Sequence, residues 1–343
     1  MIAFEETFLG EDRIPIVWQI TRGNDANINA ILGFLRELKP QLTAARDRYG
    51  AVLLRGFDAI DSAQRFAAVL DVIAEDLMEY VGGSAPREVV FGRVTTASGL
   101  PGTHSLALHQ EMAYQQSRPD ALALFCEIPP DEGGETPVAD ARAVTGRIDP
   151  SVLLRFDEKG VGVRRVLPSP EKGAENAVPR PWSHVFGTRD PAEAERIARQ
   201  KEWKIEWQAD GSMQLWQQVL PALRAHARTG ERVWANQVHY HTPECTLRWA
   251  LRDRRMADAE TIRKQMAETP DILDQCFHGD GARVSGEDAE HIWDVLEQSE
   301  IPVRWRRGDV MLIDNVLALH GRRWFRGRRR ILVGLIKDDK GRL

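Results

Sequence analysis

Leu106-Ala-Leu-His-Gln-Glu-Met-Ala113 is a short, mostly apolar stretch in which His109 and Glu111 stand two residues apart. On a β-strand, residues i and i+2 point to the same face, so the imidazole and the carboxylate would converge on one point. The stretch therefore predicts a strand that carries half of a metal site.

A second histidine that could complete this site lies far along the chain. His320 follows the apolar run Gly308-Asp-Val-Met-Leu-Ile313 and the pair Asp314-Asn315. Opposite strands of a β-barrel can bring such distant residues together. Two histidines and one carboxylate are the ligand set of non-haem Fe(II) sites, although they also suit zinc. The pair of His109 and Glu111 by itself more often reflects a core histidine beside a surface glutamate.

Two polar side chains outside this triad suggest an anion site nearby. Arg330 directly precedes the apolar run Ile331-Leu-Val-Gly-Leu-Ile336, and Thr136 lies in Gly133-Gly-Glu-Thr136-Pro-Val. An arginine in an apolar barrel is costly unless a carboxylate pairs with it. A carboxylate of a co-substrate, bound in a bidentate manner, would provide that partner.

Composition excludes several classes of function. The 343 residues carry a formal net charge of -5, which argues against nucleic-acid binding by bulk electrostatics. We interpret the arginine-rich run at 322–330 as one functional arginine among solvated ones. Three cysteines at unpaired spacing predict no disulfide framework or zinc knuckle. Without a signal peptide or an apolar run of about 20 residues, we expect a soluble, cytoplasmic protein with no membrane partner.

Short strands mixed with helices, without strict alternation, predict a mixed α/β chain with a mainly β core. We expect one domain, 1–343, with a double-stranded β-helix (jelly roll) and helical insertions. Residues 168–190 contain four prolines and little periodicity, which favours a loop or lid. Predicted helices cover residues 27–49, 62–73, 152–156, 217–227, 257–266 and 286–298. Predicted strands include 51–57, 89–94, 121–127, 135–140, 232–239, 302–305, 310–314 and 330–336, with a hairpin formed by 203–207 and 213–216.

These motifs together resemble the taurine dioxygenase (TauD/TfdA) family of Fe(II)- and 2-oxoglutarate-dependent oxygenases, and they extend over residues 51–336. The pattern is His109-x-Glu111, Gly134-Glu-Thr136-Pro-x-x-Asp140, Gly308-Asp-Val, Asp314-Asn and His320-Gly-Arg with Arg330. The resemblance implies that His109, Glu111 and His320 bind Fe(II), and that Thr136 and Arg330 bind 2-oxoglutarate, with dioxygen as the oxidant. Arg328 and Arg329 leave the choice of arginine open.

Glu111 distinguishes this chain within the family, much of which has aspartate there. The glutamate is similar to the clavaminate synthase branch and to hydroxylases of amino acids in natural-product pathways. It argues against halogenation, because halogenating members have Gly or Ala at this position. The resemblance therefore implies hydroxylation of an unactivated C–H bond in a free or carrier-bound amino-acid derivative; desaturation and cyclisation stay open.

Substrate contacts are predicted at Ser105, Asn236 and Arg322, with Arg323 as another arginine that could pair with an anionic substrate. A second metal at His239 and His241 is less favoured than a core or pocket role for that predicted strand. Three other functions stay open: a catabolic oxygenase of a sulfonate-like anion, a non-enzymatic β-sandwich that binds a metal, and a zinc hydrolase. A homo-oligomer is compatible with the sequence.

Overall fold

The computed structural model describes residues 2–80, 87–172 and 181–338. The strands are β1 (Ala3–Phe8), β2 (Ile16–Arg22), β3 (Ala51–Arg55), β4 (Asp76–Met78), β5 (Val89–Phe91), β6 (Val94–Thr96), β7 (Leu106–His109), β8 (Ala121–Ile128), β9 (Glu132–Gly133), β10 (Thr136–Asp140), β11 (Gly162–Leu167), β12 (Lys204–Trp207), β13 (Met213–Trp216), β14 (Leu223–Ala225), β15 (Arg232–Trp234), β16 (Gln275–Phe277), β17 (Ile301–Val303), β18 (Val310–Asp314), β19 (Ala318–Arg322), β20 (Phe325–Arg326) and β21 (Arg330–Lys337). The helices are α1 (Ile28–Tyr49), α2 (Ala63–Ile73), α3 (Ala141–Arg147), α4 (Pro150–Lys159), α5 (Trp182–Phe186), α6 (Pro191–Gln200), α7 (Pro243–Arg252), α8 (Met256–Glu268) and α9 (Gly286–Gln298).

Two sheets form the core of the molecule. The larger has the order β1-β2-β3-β18-β8-β21-β6-β5, with β4 paired to β21, and the smaller has the order β17-β10-β19-β7. Apolar side chains of β8 and β21, such as Leu124 and Ile331, pack against Val138 and Val303 of the smaller sheet. The sheets therefore face each other across a buried layer, which confirms the predicted two-sheet β core with helical insertions.

Helices cover the outer faces of both sheets. On the larger sheet, α1 and α2 bury Leu35 and Phe66 against the outward side chains of β3, β8 and β21. Asn27 and Ser62 cap these two helices by accepting hydrogen bonds from backbone N–H groups. On the smaller sheet, α3, α4 and α9 bury Trp293 and neighbouring apolar residues.

A further sheet, with the order β12-β13-β11-β16, lies between the core strands in sequence. It contains the predicted hairpin of 203–207 and 213–216, which the structure confirms as β12 and β13. The predicted lid at 168–190 includes residues 173–180, which lie outside the described residues, and the short helix α5. None of the helices in the described ranges combines the length and the apolar composition that a membrane span requires.

The single strand predicted at 89–94 is instead a hairpin, because β5 and β6 pair across a turn at residues 92–93. Two further predicted elements are wrong. Residues 217–227 are not helical, because the Gln217 and Leu220 N–H groups bond to Val163 and Val161 and because Pro221 has no N–H to donate. The predicted strand at 232–239 ends at Trp234, and Val238–Tyr240 form a 3₁₀ turn. His239 and His241 therefore do not share the face of a strand.

Candidate active site

The three predicted metal ligands converge at one end of the smaller sheet. His109 at the end of β7 lies directly opposite His320 of β19 in the strand register, with ring centroids 4.5 Å apart. Glu111 lies in the turn after β7, where its Oε2 is 3.8 Å from His320 Nε2. One donor atom from each residue lies within 4.8 Å of the others. The convergence comes from the pairing of β7 with β19, not from the i, i+2 alternation that the sequence suggested.

The hydrogen bonds and burial of the histidines suit a divalent cation. His109 Nδ1 donates to the Ala107 carbonyl at 2.9 Å, which fixes the tautomer and leaves Nε2 for a metal. Burial lowers the pKa of His109, although the charge of Glu111 opposes this. Burial also lowers the pKa of His320, with a smaller effect from His109. Two neutral imidazoles and one carboxylate are donors that fit Fe(II).

Asn315 holds Glu111 in place from the far end of β18. Its Oδ1 accepts from the Glu111 backbone N–H at 2.7 Å, and its Nδ2 donates to the Glu111 and Pro119 carbonyls, both at 2.9 Å. Asn315 is buried, so all three bonds are shielded from water. The sequence identified the Asp314-Asn315 motif but could not assign this role, because the partners are distant in the chain.

A cavity of about 110 Å³ lies beside the three ligands and is also lined by Thr136 and Arg329. Arg329 Nε donates to the Gly134 carbonyl at 3.0 Å, and its Nη2 lies 3.4 Å from Thr136 Oγ1. Trp305 Nε1 donates to the same Oγ1 at 2.9 Å. Burial, with the charge of Arg322, lowers the pKa of Arg329 to about 9. Within the described chain, no carboxylate forms a salt bridge with Arg329.

The prediction that Arg330 lies in this cavity is wrong. Its side chain is 44% exposed and pairs with Glu127 at 2.8 Å. Along β21, Ile331 and Val333 face the cavity while Leu332 packs under the helices. Because side chains alternate along a strand, Arg329 shares the face of Ile331 and Val333, and Arg330 points away.

The predicted substrate contacts have different surroundings. Ser105 does not line the cavity, and its hydroxyl donates to Asp253 at 2.6 Å. Asn236 is buried but lies outside the lining, which its neighbour Gln237 reaches instead. Arg322 lines the cavity and donates to the carbonyls of Leu100, Pro101 and His104 at 3.1, 2.9 and 2.6 Å. Arg323 pairs with Glu300 at 3.2 Å.

His239 and His241, the alternative metal pair, form hydrogen bonds with different partners. His239 Nε2 donates to the Leu108 carbonyl at 2.9 Å, and His241 Nδ1 lies 3.1 Å from Asp274 Oδ2. His239 is fully buried, so the interpretation of this segment as part of the core is the one that the structure supports.

Sequence reasoning missed Arg87, which also lines the cavity. Its Nη2 lies 2.9 Å from Glu111 Oε2, and its guanidinium carbon lies 4.0 Å from the centre of the Tyr80 ring. Arg87 belongs to none of the motifs that the sequence singled out, so only the fold reveals its place.

Comparisons with known proteins place the whole core of the chain in one family. The model of the "Taurine catabolism dioxygenase TauD, TfdA family" matches residues 17–336. A clavaminate synthase-like protein of Arabidopsis thaliana is 33% identical over 307 residues, which is 88% of this chain and 86% of that protein. The dapdiamide synthesis protein DdaC of Enterobacter agglomerans is 29% identical over 291 residues, covering 84% of this chain and 82% of its own.

Solved structures share the fold at lower identity. An asparagine oxygenase in complex with Fe(II), 3-hydroxyasparagine and succinate superimposes with a TM-score of 0.55 at 12% identity, covering 94% of both chains. PvcB, an Fe, α-ketoglutarate-dependent oxygenase from an isonitrile synthetic pathway, gives a TM-score of 0.51 at 16% identity, covering 97% of this chain and 90% of PvcB.

Proposed function

The chain belongs to the TauD, TfdA family of dioxygenases, and we propose that it hydroxylates a C–H bond of an amino acid or an amino-acid-derived small molecule. Fe(II) is the metal, 2-oxoglutarate the co-substrate and dioxygen the oxidant. The observation that carries the proposal is that one cavity contains two features. The first is the set of metal donors from His109, Glu111 and His320, and the second is Arg329, which has no carboxylate partner among the described residues. Neither a structural metal site nor a simple zinc hydrolase needs this second feature.

In this proposal His109, Glu111 and His320 hold Fe(II). When bound, the iron with 2-oxoglutarate and dioxygen supplies the oxidising chemistry that breaks the C–H bond. The protein contributes position and a dry surrounding, because apolar side chains from β8 and β21 form part of the cavity wall. These are Leu122, Leu124, Ile331 and Val333.

Arg329 and Thr136 would bind the distal carboxylate of 2-oxoglutarate. A buried guanidinium without an anionic partner is costly, and a carboxylate accepting from two of its N–H groups removes that cost. Thr136 Oγ1 already accepts from Trp305, so its hydroxyl hydrogen can be donated to the same carboxylate. This assignment replaces Arg330, whose partner is Glu127.

The substrate class is supported by the relatives. DdaC takes part in dapdiamide synthesis, PvcB belongs to an isonitrile synthetic pathway, and the asparagine oxygenase was captured with hydroxyasparagine. An amino-acid substrate, free or attached to a carrier protein, agrees with these three. A small sulfonate-like anion is the second candidate, since the family description names taurine catabolism and Arg322 lines the cavity. A cytoplasmic location and a homo-oligomer stay predictions, as does the single domain.

Anaerobic titration of the purified protein with Fe(II) and 2-oxoglutarate tests the proposal. Chelation of iron by the co-substrate should give a weak visible band at roughly 500 nm that needs both components. His109→Ala should abolish the band. His291→Ala, which removes a histidine of the outer helix α9, should preserve it. Wild-type protein that binds the metal but shows no band with 2-oxoglutarate would contradict the proposal.

A further inference from the structure

Arg87 is a buried cation whose hydrogen-bonding capacity is mostly unused. Its side chain is 6% exposed, and its one salt bridge within the described ranges is to Glu111. Its Nε and Nη1 atoms have no hydrogen-bond partner there. The Tyr80 ring lies under the guanidinium at 4.0 Å, which orients it by a cation–π contact. The unused N–H groups belong to a side chain that lines the cavity.

One carboxylate oxygen of Glu111 lies close to both Arg87 and His320. Glu111 Oε2 is 2.9 Å from Arg87 Nη2 and 3.8 Å from His320 Nε2. A divalent cation bound between Glu111 and the two histidines would bring two positive charges close to the guanidinium. The repulsion would oppose the attraction between Arg87 and Glu111, since both act over a few ångströms in a buried site. Metal binding therefore leaves Arg87 in need of another anion.

We propose that Arg87 exchanges its anionic partner: it holds Glu111 in the metal-free protein and binds a carboxylate of the substrate once Glu111 ligates the metal. This inference rests on the proposed function and specifies the substrate as a carboxylate-bearing small molecule. The planar fork of N–H groups on a guanidinium matches a carboxylate in geometry and charge.

The other two arginines of the cavity are less suited to this role. Arg322 is already bound by three backbone carbonyls. Arg329 lies against Thr136, in the position assigned to the co-substrate. Arg322 also has an Nε without a hydrogen-bond partner, but Arg87 has two such atoms, Nε and Nη1, and it is the arginine that contacts a metal ligand, Glu111. A substrate carboxylate held there would keep the rest of the substrate next to the metal.

A different role for Arg87 makes the opposite prediction for metal affinity. If Arg87 stayed on Glu111 and oriented it as a ligand, its loss would weaken metal binding, as the loss of such outer partners usually does. If Arg87 exchanges, its loss removes a competitor for Glu111 and a positive charge near the metal. Metal binding would then become tighter.

Binding of Mn(II) alone, measured from the EPR signal of the free ion, separates these two roles. We expect Arg87→Met and Arg87→Gln to bind Mn(II) about three- to tenfold more tightly than wild type, equivalent to about 0.7–1.4 kcal/mol. The control Arg93→Met removes an exposed arginine that pairs with Asp76, and it should leave the affinity unchanged. Unchanged or weaker binding in both Arg87 variants would overturn the proposal. Using two variants guards against a folding defect in one, which thermal unfolding would reveal.

The anion site itself is tested with acetate as the probe. Protein loaded with Mn(II) and 2-oxoglutarate should broaden the ¹³C carboxylate line of labelled acetate, because a nearby paramagnetic ion relaxes it. Labelled acetamide, which lacks the charge, should be broadened much less. We expect Arg87→Met to reduce the acetate effect at least about fivefold, and Arg87→Lys to retain part of it.

The outcomes distinguish this inference from the proposed function. Equal acetate broadening in wild type and Arg87→Met would overturn the inference, since acetate would then be bound directly by the metal or elsewhere. Absence of acetate broadening in wild type would overturn it as well. Failure of the proposed function shows separately, as a missing visible band of the wild-type protein with Fe(II) and 2-oxoglutarate. The Mn(II) measurement needs no 2-oxoglutarate and is interpretable in either case.

Discussion

Arg329 and Arg330 are adjacent in the sequence and can be substituted as a matched pair. Arg329→Met should raise the Kd for 2-oxoglutarate about 30- to 150-fold, because two or more charge-assisted hydrogen bonds worth about 2–3 kcal/mol are lost. Arg330→Met should change it less than about threefold, since Arg330 lies outside the cavity and pairs with Glu127. Anaerobic titration of the visible band measures both. A larger effect from Arg330 would restore the assignment made from the sequence.

Which arginine enters the cavity could not be read from the sequence. The run Arg328-Arg329-Arg330 shows that an arginine precedes the strand, but choosing one requires the exact strand register. The pairing of β21 with β8 shifts between Arg330 and Ile331, and an irregularity of this kind depends on the partner strand. His109 and His320 did not have this ambiguity, because neither has another histidine beside it in the sequence.

Asn315 offers a test of how Glu111 is held. Asn315→Leu keeps a similar volume but removes three buried hydrogen bonds and leaves their backbone partners unpaired. The free energy of unfolding of the metal-free protein should fall by about 3–5 kcal/mol. Urea denaturation measures this. Asn27→Leu is the control, because it removes an exposed helix cap and should cost only about 1 kcal/mol. Equal losses in the two variants would contradict the buried role of Asn315.

The strands β7 and β19 approach each other unusually closely beside the site. A Cβ atom on Gly321 would lie 2.6 Å from the Leu106 backbone carbonyl oxygen, so no side chain fits there without separating the strands. Gly321→Ala should therefore move His320 relative to His109 and weaken Mn(II) binding at least about tenfold. The EPR assay for free Mn(II) provides the measurement.

A glycine in open surroundings serves as the control for Gly321. Gly33 lies inside α1 with no atom near the position of an added Cβ. Gly33→Ala should raise the free energy of unfolding by about 0.5–1 kcal/mol through helix propensity and should leave Mn(II) affinity unchanged. Wild-type Mn(II) affinity in Gly321→Ala would show that the two strands tolerate separation.

Apolar periodicity predicted helices and strands correctly where interactions between residues close in sequence determine the structure. The long helix α1 and the buried strands β8, β18 and β21 follow from apolar periodicity. The segment around Pro221 was mispredicted as a helix because its apolar spacing fits one, whereas tertiary pairing with Val161 and Val163 decides its structure. Glu111 shows the same limit, since the pairing of β7 with β19 matters more than strand alternation.

A partly buried network of charged side chains connects residues that are distant in the sequence. Asp314 at the end of β18 lies 3.2 Å from His226 Nε2, and Asp338, after β21, pairs with Arg46 of α1 and, at 3.0 Å, with Arg228. Arg228 also reaches Asp47 at 2.5 Å. Asp47, His226 and Asp314 could resemble a second metal site. The arginines Arg46 and Arg228 make a structural ion network the better interpretation, because they already neutralise the carboxylates.

This network predicts how stability depends on pH. Burial alone would raise the pKa of Asp338, but the charges and hydrogen bonds of Arg46 and Arg228 outweigh it and lower that pKa. Burial would also raise the pKa of Asp314. The hydrogen bond from His226 and the charge of Arg46 outweigh this effect, so the pKa of Asp314 is lowered. A carboxylate with a lowered pKa stabilises the fold above its unfolded value of about 3.9, and this contribution is lost as pH falls through the folded value.

Asp338→Asn should therefore lower the free energy of unfolding by about 1–3 kcal/mol at pH 7, and the difference from wild type should shrink as pH falls below about 4. Urea denaturation at several pH values between about 7 and 3 measures this. The control Asp76→Asn removes one partner of an exposed pair with Arg93 and should stay within about 0.5 kcal/mol of wild type. A deficit in Asp338→Asn that is independent of pH would mean that packing, and not the charge of the carboxylate, explains the contribution of Asp338.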